Sequence, residues 1–250
     1  MSLYLQSDLL RIVSFTKPRA DYAKVEKLIG TAFLISQSGL FMTAAHVLKT
    51  ALSRVENYGQ FCGVVGTSSE GTFVTDILSY EYAPNGQDIA VGISNYTHKT
   101  HYRISDAECD VWQRVATCGF PEDAISIDGE NKITTPLRAY KGIIQRNIRE
   151  GHLALMPRSK GYELSFSPSP GLSGAPLFIY HKDHNEVVGV CVGSFKSEQV
   201  EDEITEVNES GETYTEKRVR ITQYGIAESL TELCDWTPSF LGGTRLSDFR

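Results

Sequence analysis

Apolar positions along the chain fall in short runs that are rich in Val, Ile, Phe and Tyr. Gly, Pro, Asn or Ser interrupts these runs at close intervals, which is typical of strands joined by tight turns. Helical spacing is clearest at Leu48, Leu52 and Val55, which predict a short helix after His46. The pattern therefore predicts an all-β fold of the barrel or sandwich type.

Two sets of predicted strands lie on either side of a polar segment at residues 96–110. The first set comprises residues 9–15, 28–36, 40–43, 61–66, 72–80 and 88–94, and the second comprises residues 114–118, 132–147, 153–156, 162–166, 175–180, 187–195 and 218–227. Leu230, Leu233 and Cys234 predict a short C-terminal helix. We expect one domain over residues 1–250, with halves at 8–105 and 111–236 and a tail at 237–250.

Composition narrows the possible partners. The formal net charge is −7 and the sequence pI is about 5.4, which argues against a nucleic-acid-binding surface. The sequence has no apolar run of membrane-spanning length, and residues 1–8 lack the basic start and apolar core of a signal peptide. Five cysteines without a CxxC pair fit reduced thiols. We expect a cytoplasmic protein that binds neither nucleic acid nor membrane.

Ser173 stands in Gly-Leu-Ser173-Gly-Ala-Pro, directly before an apolar strand. Glycines on both sides let the backbone adopt positive φ and approach a ligand closely, so the serine is presented on a tight turn. A serine nucleophile needs a base for its proton, a group that orients the base, and N–H donors for an oxyanion. The stretch therefore predicts a nucleophile with partners elsewhere in the chain.

Candidates for these partners lie in the first half. His46 follows a strand that ends in Thr-Ala-Ala, where small residues leave space for an imidazole, although a lone histidine is more often a satisfied core residue. Asp88 opens an apolar strand, where a carboxylate needs a hydrogen-bond partner such as an imidazole N–H. Asp76 has a similar local setting and is the alternative acid. The chain order His46, Asp88, Ser173 is more specific than any of these residues alone.

These three motifs resemble those of the trypsin/chymotrypsin-like serine peptidases: Thr-Ala-Ala-His46 matches the histidine box, Asp88-Ile-Ala-Val the aspartate strand and Gly-Leu-Ser173-Gly-Ala-Pro the nucleophile loop. The resemblance implies two packed antiparallel β-barrels and a serine endopeptidase that forms an acyl-enzyme. It implies Ser173 as nucleophile, His46 as base and Asp88 as its orienting group. The N–H groups of Gly171 and Ser173 would form the oxyanion hole.

Departures from the family indicate an intracellular, disulfide-free branch. Leu172 stands where zymogen-activated members carry an aspartate, and Val47 stands where secreted members carry a disulfide cysteine. The family's pocket implies Ser167, Gly193, Ser194 and Gly225 as substrate-binding residues.

The two glycines of that pocket predict open space within it. The absence of an acid at its base argues against a preference for Lys or Arg. We expect a medium-sized apolar or polar side chain at the cleavage site.

Two other function classes compete with this interpretation. An α/β-hydrolase esterase requires Gly-x-Ser-x-Gly and the chain order Ser, acid, His, which the sequence lacks. A catalytically silent or effector-gated peptide-binding module on the same fold stays as the alternative. His98 with His101 and His181 with His184 lack a third ligand at recognisable spacing, so we predict no metal and no cofactor.

Acidic residues concentrate at Glu198–Glu216, a segment with eight of them and no basic residue. Alternating residues at 204–207 and 213–215 predict a protruding β-hairpin. The segment joins the strands that carry Gly193 and Gly225, so its field would favour basic protein or peptide substrates, or a basic partner. A merely solvated insertion is the competing interpretation.

Overall fold

The computed structural model of the chain describes residues 7–19, 22–68, 71–99, 101–124, 126–127, 133–134, 136–153, 160–181, 185–207 and 210–249. Its main elements are β1 (Leu9–Arg19), β2 (Tyr22–Leu34), β3 (Leu40–Ala44), α1 (Ala45–Tyr58), β4 (Phe61–Ser68), β5 (Gly71–Tyr82), β6 (Ile89–Ser94), β7 (Arg103–Ile104), β8 (Arg114–Gly119), β9 (Ser126–Ile127), β10 (Ile133–Thr134), β11 (Arg138–Ile148), β12 (Gly161–Leu164), β13 (Pro176–Tyr180), β14 (Asn185–Val207) and β15 (Thr213–Ser229).

Strands β1 to β6 form a closed barrel in the order β1-β2-β3-β6-β5-β4, with antiparallel neighbours throughout. Strand β3 is buried along its whole length and β6 at all but one position. One face of each strand fills the barrel, and the other packs against α1 or the second barrel. Burial on both faces explains why these strands are continuous apolar runs in the sequence.

The helix α1 confirms the predicted helix after His46. It begins directly after β3 and buries Ala45, Val47, Leu48 and Ala51. It ends before Gly59, which has a left-handed φ of 61°. Within the described part of the chain, no helix has the length and apolar character needed to cross a bilayer.

A second ring of strands runs in the order β13-β8-β11-β12-β15-β14 and is closed by the pairing of β13 with β14. The short strand β7 adds to β14 in parallel. Leu9 and Phe33 of the first barrel share one buried cluster with Phe178 and Val187 of the second. The predicted all-β fold of two packed antiparallel barrels is confirmed.

Two predicted elements differ in the structure. The predicted strand at 132–147 is divided into β10 and β11, and Pro136, which has no N–H for a strand ladder, lies between them. The predicted strand at 153–156 lies mostly outside the described residues.

The short helix predicted at Leu230, Leu233 and Cys234 is not formed at these residues. Leu230, Leu233 and Cys234 lie in successive turns, in which the Leu233 N–H donates to the Leu230 carbonyl at 2.9 Å. Two 3-10 helices follow at Ser239–Leu241 and Leu246–Phe249.

The two longest strands form a projecting hairpin. Strands β14 and β15 have 23 and 17 residues and pair from Gly189 opposite Ser229 to Val207 opposite Thr213. The predicted hairpin is therefore confirmed, and it is continuous with two strands of the second barrel.

Candidate active site

His46 lies in the first turn of α1, with 45% of its side chain exposed. The pairing of β3 with β6 places Ala44 opposite Ile89, and the Ala45 N–H donates to the Asp88 carbonyl at 3.1 Å. The Asp88 carboxylate then accepts two hydrogen bonds from His46. One comes from the backbone N–H at 2.8 Å, and the other from ring Nδ1 at 2.5 Å.

This contact fixes which ring nitrogen of His46 faces the carboxylate. A carboxylate only accepts hydrogen bonds, so Nδ1 carries a proton, and in the neutral imidazole Nε2 is the nitrogen with the free lone pair. Asp76, the alternative acid, instead forms an ion pair with Lys17 at 3.0 Å on the first barrel. The structure therefore places Asp88, rather than Asp76, against His46.

Gln87 ties the segment before Asp88 to the second barrel, a link that the sequence analysis missed. Its side-chain nitrogen is 3.1 Å from the Ser229 carbonyl, 3.3 Å from the Lys160 carbonyl and 3.1 Å from Oε2 of Glu228. Glu228 is only 1% exposed and also accepts the Lys160 N–H at 3.0 Å. In the sequence, the only local indication of this link is a glutamine directly before Asp88.

The loop that carries Ser173 packs directly on the first barrel. The Thr31 N–H donates to the Ser173 carbonyl at 2.9 Å. A Cβ at Gly174 would lie 2.0 Å from the Thr31 carbonyl oxygen and 3.0 Å from the Ala44 nitrogen, so only glycine fits there. Because Ala44 lies two residues before His46, this packing brings the serine loop to the histidine.

The Ser173 hydroxyl does not point to the histidine. It donates to the Val192 carbonyl at 3.4 Å and makes no hydrogen bond with His46. Val192 lies at a β-bulge of β14, between Cys191 and Gly193. Rotation about the serine Cα–Cβ bond changes the acceptor of a hydroxyl without moving the backbone.

Two N–H groups of the serine loop have no acceptor within the described part of the chain. The N–H groups of Leu172, Gly174 and Ala175 each donate to a backbone carbonyl within 3.1 Å. Among the described residues, no such bond is made by the N–H groups of Gly171 and Ser173. These two are the donors expected for an oxyanion, because a ligand oxygen can take a place that no protein acceptor fills.

Thr31 of β2 also binds the serine loop. The sequence did not indicate this role. Its hydroxyl donates to the Gly171 carbonyl at 2.8 Å, across 140 residues of sequence, and accepts the Phe120 N–H at 3.1 Å. Gly171 has φ of +93°, and a Cβ there would lie 2.5 Å from the Phe120 carbonyl oxygen. The one signal was a polar residue inside an apolar strand.

Two side chains of β11 support the segment before the serine. The Ser169 hydroxyl lies 2.6 Å from Oη of Tyr140 and accepts from Nη1 of Arg138 at 2.9 Å. The Tyr140 ring stacks on Phe166 with centroids 5.7 Å apart, and Arg138 pairs with Asp123 at 2.9 Å. The sequence carries no local signal for these contacts, since they join three separate segments.

The predicted substrate-binding residues lie on two strands and one loop. Gly193 and Ser194 belong to β14, Gly225 lies opposite Ser194 in β15, and Ser167 follows β12. Gly193 has open space where a Cβ would stand, whereas a Cβ at Gly225 would lie 2.5 Å from the Phe166 carbonyl oxygen. Gly193 therefore leaves room for a ligand, and Gly225 is required for close backbone packing.

One histidine of each pair lies beside a carboxylate, whereas the buried Nδ1 of His101 has no hydrogen-bond partner among the described residues. Nδ1 of His98 lies 2.9 Å from Asp8, and Nε2 of His181 lies 3.7 Å from Glu186. His184 lies outside the described residues. Where side chains are described, no three His, Cys, Asp or Glu residues group together in a way that could hold a metal ion.

The cysteines, all free thiols, provide a test against a thiol nucleophile. Burial raises the pKa of Cys118 to about 11 and the pKa values of Cys62 and Cys191 to about 12. A raised pKa lowers the thiolate fraction at neutral pH, and the thiolate is the reactive form. We expect iodoacetamide to modify the native protein slowly and the denatured protein rapidly. Alkylation of the native protein at the rate of the denatured protein would contradict this.

Comparison with known proteins identifies the family. Residues 30–190 match the trypsin-like peptidase domain. No curated protein matches the sequence. Among solved structures the chain is similar to Deg5, with a TM-score of 0.50, 15% identity, and coverage of 75% of this chain and 80% of that one.

Two further structures have TM-scores of 0.49. The chain is similar to the Rv3671c protease in an inactive form, at 17% identity over 98% of this chain and 89% of that one. It is similar to a serine-to-alanine mutant of Rv3671c from M. tuberculosis H37Rv, also an inactive form, at 18% identity over 90% and 82%. The match over residues 30–190 spans more than half of the chain, which therefore belongs to the trypsin-like peptidase domain family.

Proposed function

We propose that this trypsin-like peptidase is a serine endopeptidase that cleaves protein or peptide substrates through an acyl-enzyme. One observation carries the proposal. The Asp88 carboxylate binds both the backbone N–H and Nδ1–H of His46, which leaves Nε2 free at the junction where the Ser173 loop packs. A base oriented in this way beside a serine loop is the arrangement that acyl transfer requires. We further propose that the two barrels act as one peptidase unit.

In the proposed reaction, Oγ of Ser173 forms a bond to the substrate carbonyl carbon while Nε2 of His46 takes the hydroxyl proton. The carbonyl oxygen becomes an oxyanion, which the free N–H groups of Gly171 and Ser173 stabilise. His46 then gives the proton to the leaving amine, and the C–N bond breaks. Water then gives a proton to the same imidazole as its oxygen attacks the acyl carbon. The C–Oγ bond breaks, the imidazolium returns the proton to Oγ of Ser173, and the acid product leaves. Throughout, Asp88 stays ionised and stabilises the imidazolium.

A gated or silent peptide-binding module is the second candidate, and the direction of the serine hydroxyl favours it. In the structure the hydroxyl donates to the Val192 carbonyl, so attack requires rotation towards His46. A substrate or effector whose N–H donates to the Val192 carbonyl would compete for that acceptor and release the hydroxyl. Gating would then be built into substrate binding.

A fluorophosphonate probe separates these candidates, because it reacts covalently only with an activated serine. We expect it to label the purified protein, to fail with Ser173→Ala and to label the control Ser53→Ala, a serine on α1. Labelling that appears only after a peptide is added would indicate gating. No labelling under either condition would indicate a silent module.

We also propose that the protein works in a reducing compartment such as the cytoplasm. All five cysteines are free, and four of them are buried. Proteins of oxidising compartments commonly use paired cysteines instead.

A further inference from the structure

The hairpin beyond the second barrel, residues 196–207 of β14 and 213–223 of β15, is called the arm. Every described residue of the arm is exposed, although the two strands stay paired from Lys196 opposite Gln223 to Val207 opposite Thr213. The arm is therefore a two-stranded ribbon that contributes no side chain to either core. Such an element is available for binding, since it is not needed to fill the barrel.

One edge of β14 leads from the candidate active site into the arm. Near the serine this edge is paired: Cys191 bonds through both its N–H and its carbonyl to Ala175 and Gly174, at 2.9 and 2.7 Å. The next carbonyl, of Val192, lies 3.4 Å from the Ser173 hydroxyl. From Gly193 outward, β14 pairs with β15 alone among the described residues. An unpaired edge of about 15 residues, or roughly 50 Å, thus begins beside the serine.

The charge on this edge is negative. From Glu198 to Val207, β14 carries five acidic residues and no basic one. The basic residues of β15 neutralise only part of it, because Lys217 pairs with Glu203 at 3.2 Å and Arg220 with Glu201 at 2.8 Å.

Glu198 is the acidic group of this edge that remains available. Within the described part of the chain it forms no ion pair and lies opposite Ile221, whereas Asp202 lies opposite the basic Arg218. Opposite charges on neighbouring strands stabilise a sheet, so this edge favours a new strand that carries Lys or Arg.

The arm also has an apolar strip. Val200 lies opposite Val219, and Ile221 lies two residues along β15 on the same face. Their exposed fractions are 52%, 38% and 55%, which is unusual for adjacent β-branched side chains. A strand that combines basic and apolar residues would match both features of the arm.

We propose that the arm is a substrate-binding exosite, where a basic, extended segment of the substrate adds to the free edge of β14 as a third strand. This inference rests on the proposed function. His46, which would protonate the leaving amine, belongs to the first barrel, so the acyl side of the substrate lies over the second barrel and β14. Leading away from Ser173, that side runs from its C-terminal to its N-terminal end, and the added strand is therefore antiparallel to β14. The exosite, which begins at Lys196 of β14, therefore binds substrate residues that lie well before the scissile bond.

The first test measures binding without cleavage. The full-length Ser173→Ala protein is titrated into a fluorescein-labelled ten-residue peptide of alternating Lys and Val, and anisotropy is recorded. A strand that pairs on one side donates only through every second amide N–H. One peptide is therefore N-methylated at its Lys amides and another at its Val amides, which removes one alternate set of donors in each. We expect one set to weaken binding about ten-fold and the other to have little effect. Equal effects of the two sets would overturn strand addition and leave only charge steering.

Charge variants locate the binding edge. We expect Glu198→Lys to weaken binding about five-fold, because an attractive cross-strand pair becomes a repulsive one. Glu56→Lys, on the exposed side of α1, makes the same change in net charge and should have little effect. Equal losses in both variants would overturn the proposal.

Amide hydrogen exchange supplies an independent readout. We expect the Lys-Val peptide to slow exchange in residues 196–207, as new ladder hydrogen bonds form there. A free protein whose edge is already protected, and whose mass by light scattering rises with concentration, would assign the edge to a second copy of the chain. These tests use Ser173→Ala, so peptide binding can be observed even if fluorophosphonate labelling fails, and labelling can be observed even if the peptide does not bind. Failure of the exosite and failure of the proposed function are therefore distinguishable.

Discussion

Replacing Ser173 by alanine should lower kcat for peptide cleavage by about 10⁶-fold, because the atom that bonds to the substrate carbonyl is removed. The midpoint of thermal unfolding should change little, since the lost hydroxyl makes one hydrogen bond of 3.4 Å. His46→Ala should cause a loss of similar size, because serine and base act as a unit. The double variant should be scarcely slower than either single variant.

The comparison of single and double variants is what makes this result specific. Residual hydrolysis by all three variants would come from substrate binding and the N–H donors of Gly171 and Ser173, which the substitutions leave in place. If His46→Ala kept most of the activity while Ser173→Ala lost it, another group would be the base and the proposed mechanism would be wrong.

Asp88→Asn should have the second largest effect, a loss of about 10⁴-fold in kcat. An amide side chain can still accept from the His46 backbone N–H, so the fold should persist. It can also turn its NH₂ towards ring Nδ1, which favours the tautomer with the proton on Nε2. A protonated Nε2 cannot take the serine proton. The measurement is kcat against a cleavable peptide, with circular dichroism to verify folding.

Asp76→Asn is the matched control for this substitution. It makes the same chemical change in an acid that pairs with Lys17 at the surface, where an ion pair contributes at most about 1 kcal/mol. We expect its kcat to stay within about two-fold of the native value. A large loss in Asp76→Asn together with full activity in Asp88→Asn would reverse the assignment of the acid.

The local sequence was sufficient to predict those parts of the site that depend on the residue type at a turn or at the end of a strand. Ser173 between glycines needed no partner to be recognised, because positive φ and close backbone approach are properties of the local chain. Gly174 shows this, since its φ of 87° lies in the region that favours glycine. The order of His46, Asp88 and Ser173 then indicated the family, which the match over residues 30–190 shows.

Contacts between residues far apart in the chain could not be predicted from the sequence. Thr31 binds the Gly171 carbonyl across 140 residues, and Gln87 reaches buried Glu228 across 141. Neither pairing follows from periodicity, because a polar residue in an apolar strand has many possible partners until the barrels are packed. The sequence of the segment at 198–216 also overstated the negative charge of the hairpin, because Lys217 and Arg220 on the returning strand neutralise part of it.

The amino-acid sequence by itself determined the strand-rich pattern, the projecting hairpin and the candidates Ser173 and His46, because each depends on spacing or on backbone freedom within a few positions. It left Asp88 and Asp76 as the two possible acids. Only the tertiary structure decided that Asp88 rather than Asp76 meets His46, and that the Ser173 hydroxyl turns to the Val192 carbonyl. It also decided that the free edge of β14 starts beside the serine. Such choices depend on which strands become neighbours when the barrels close, and that is set by the packing of the whole chain.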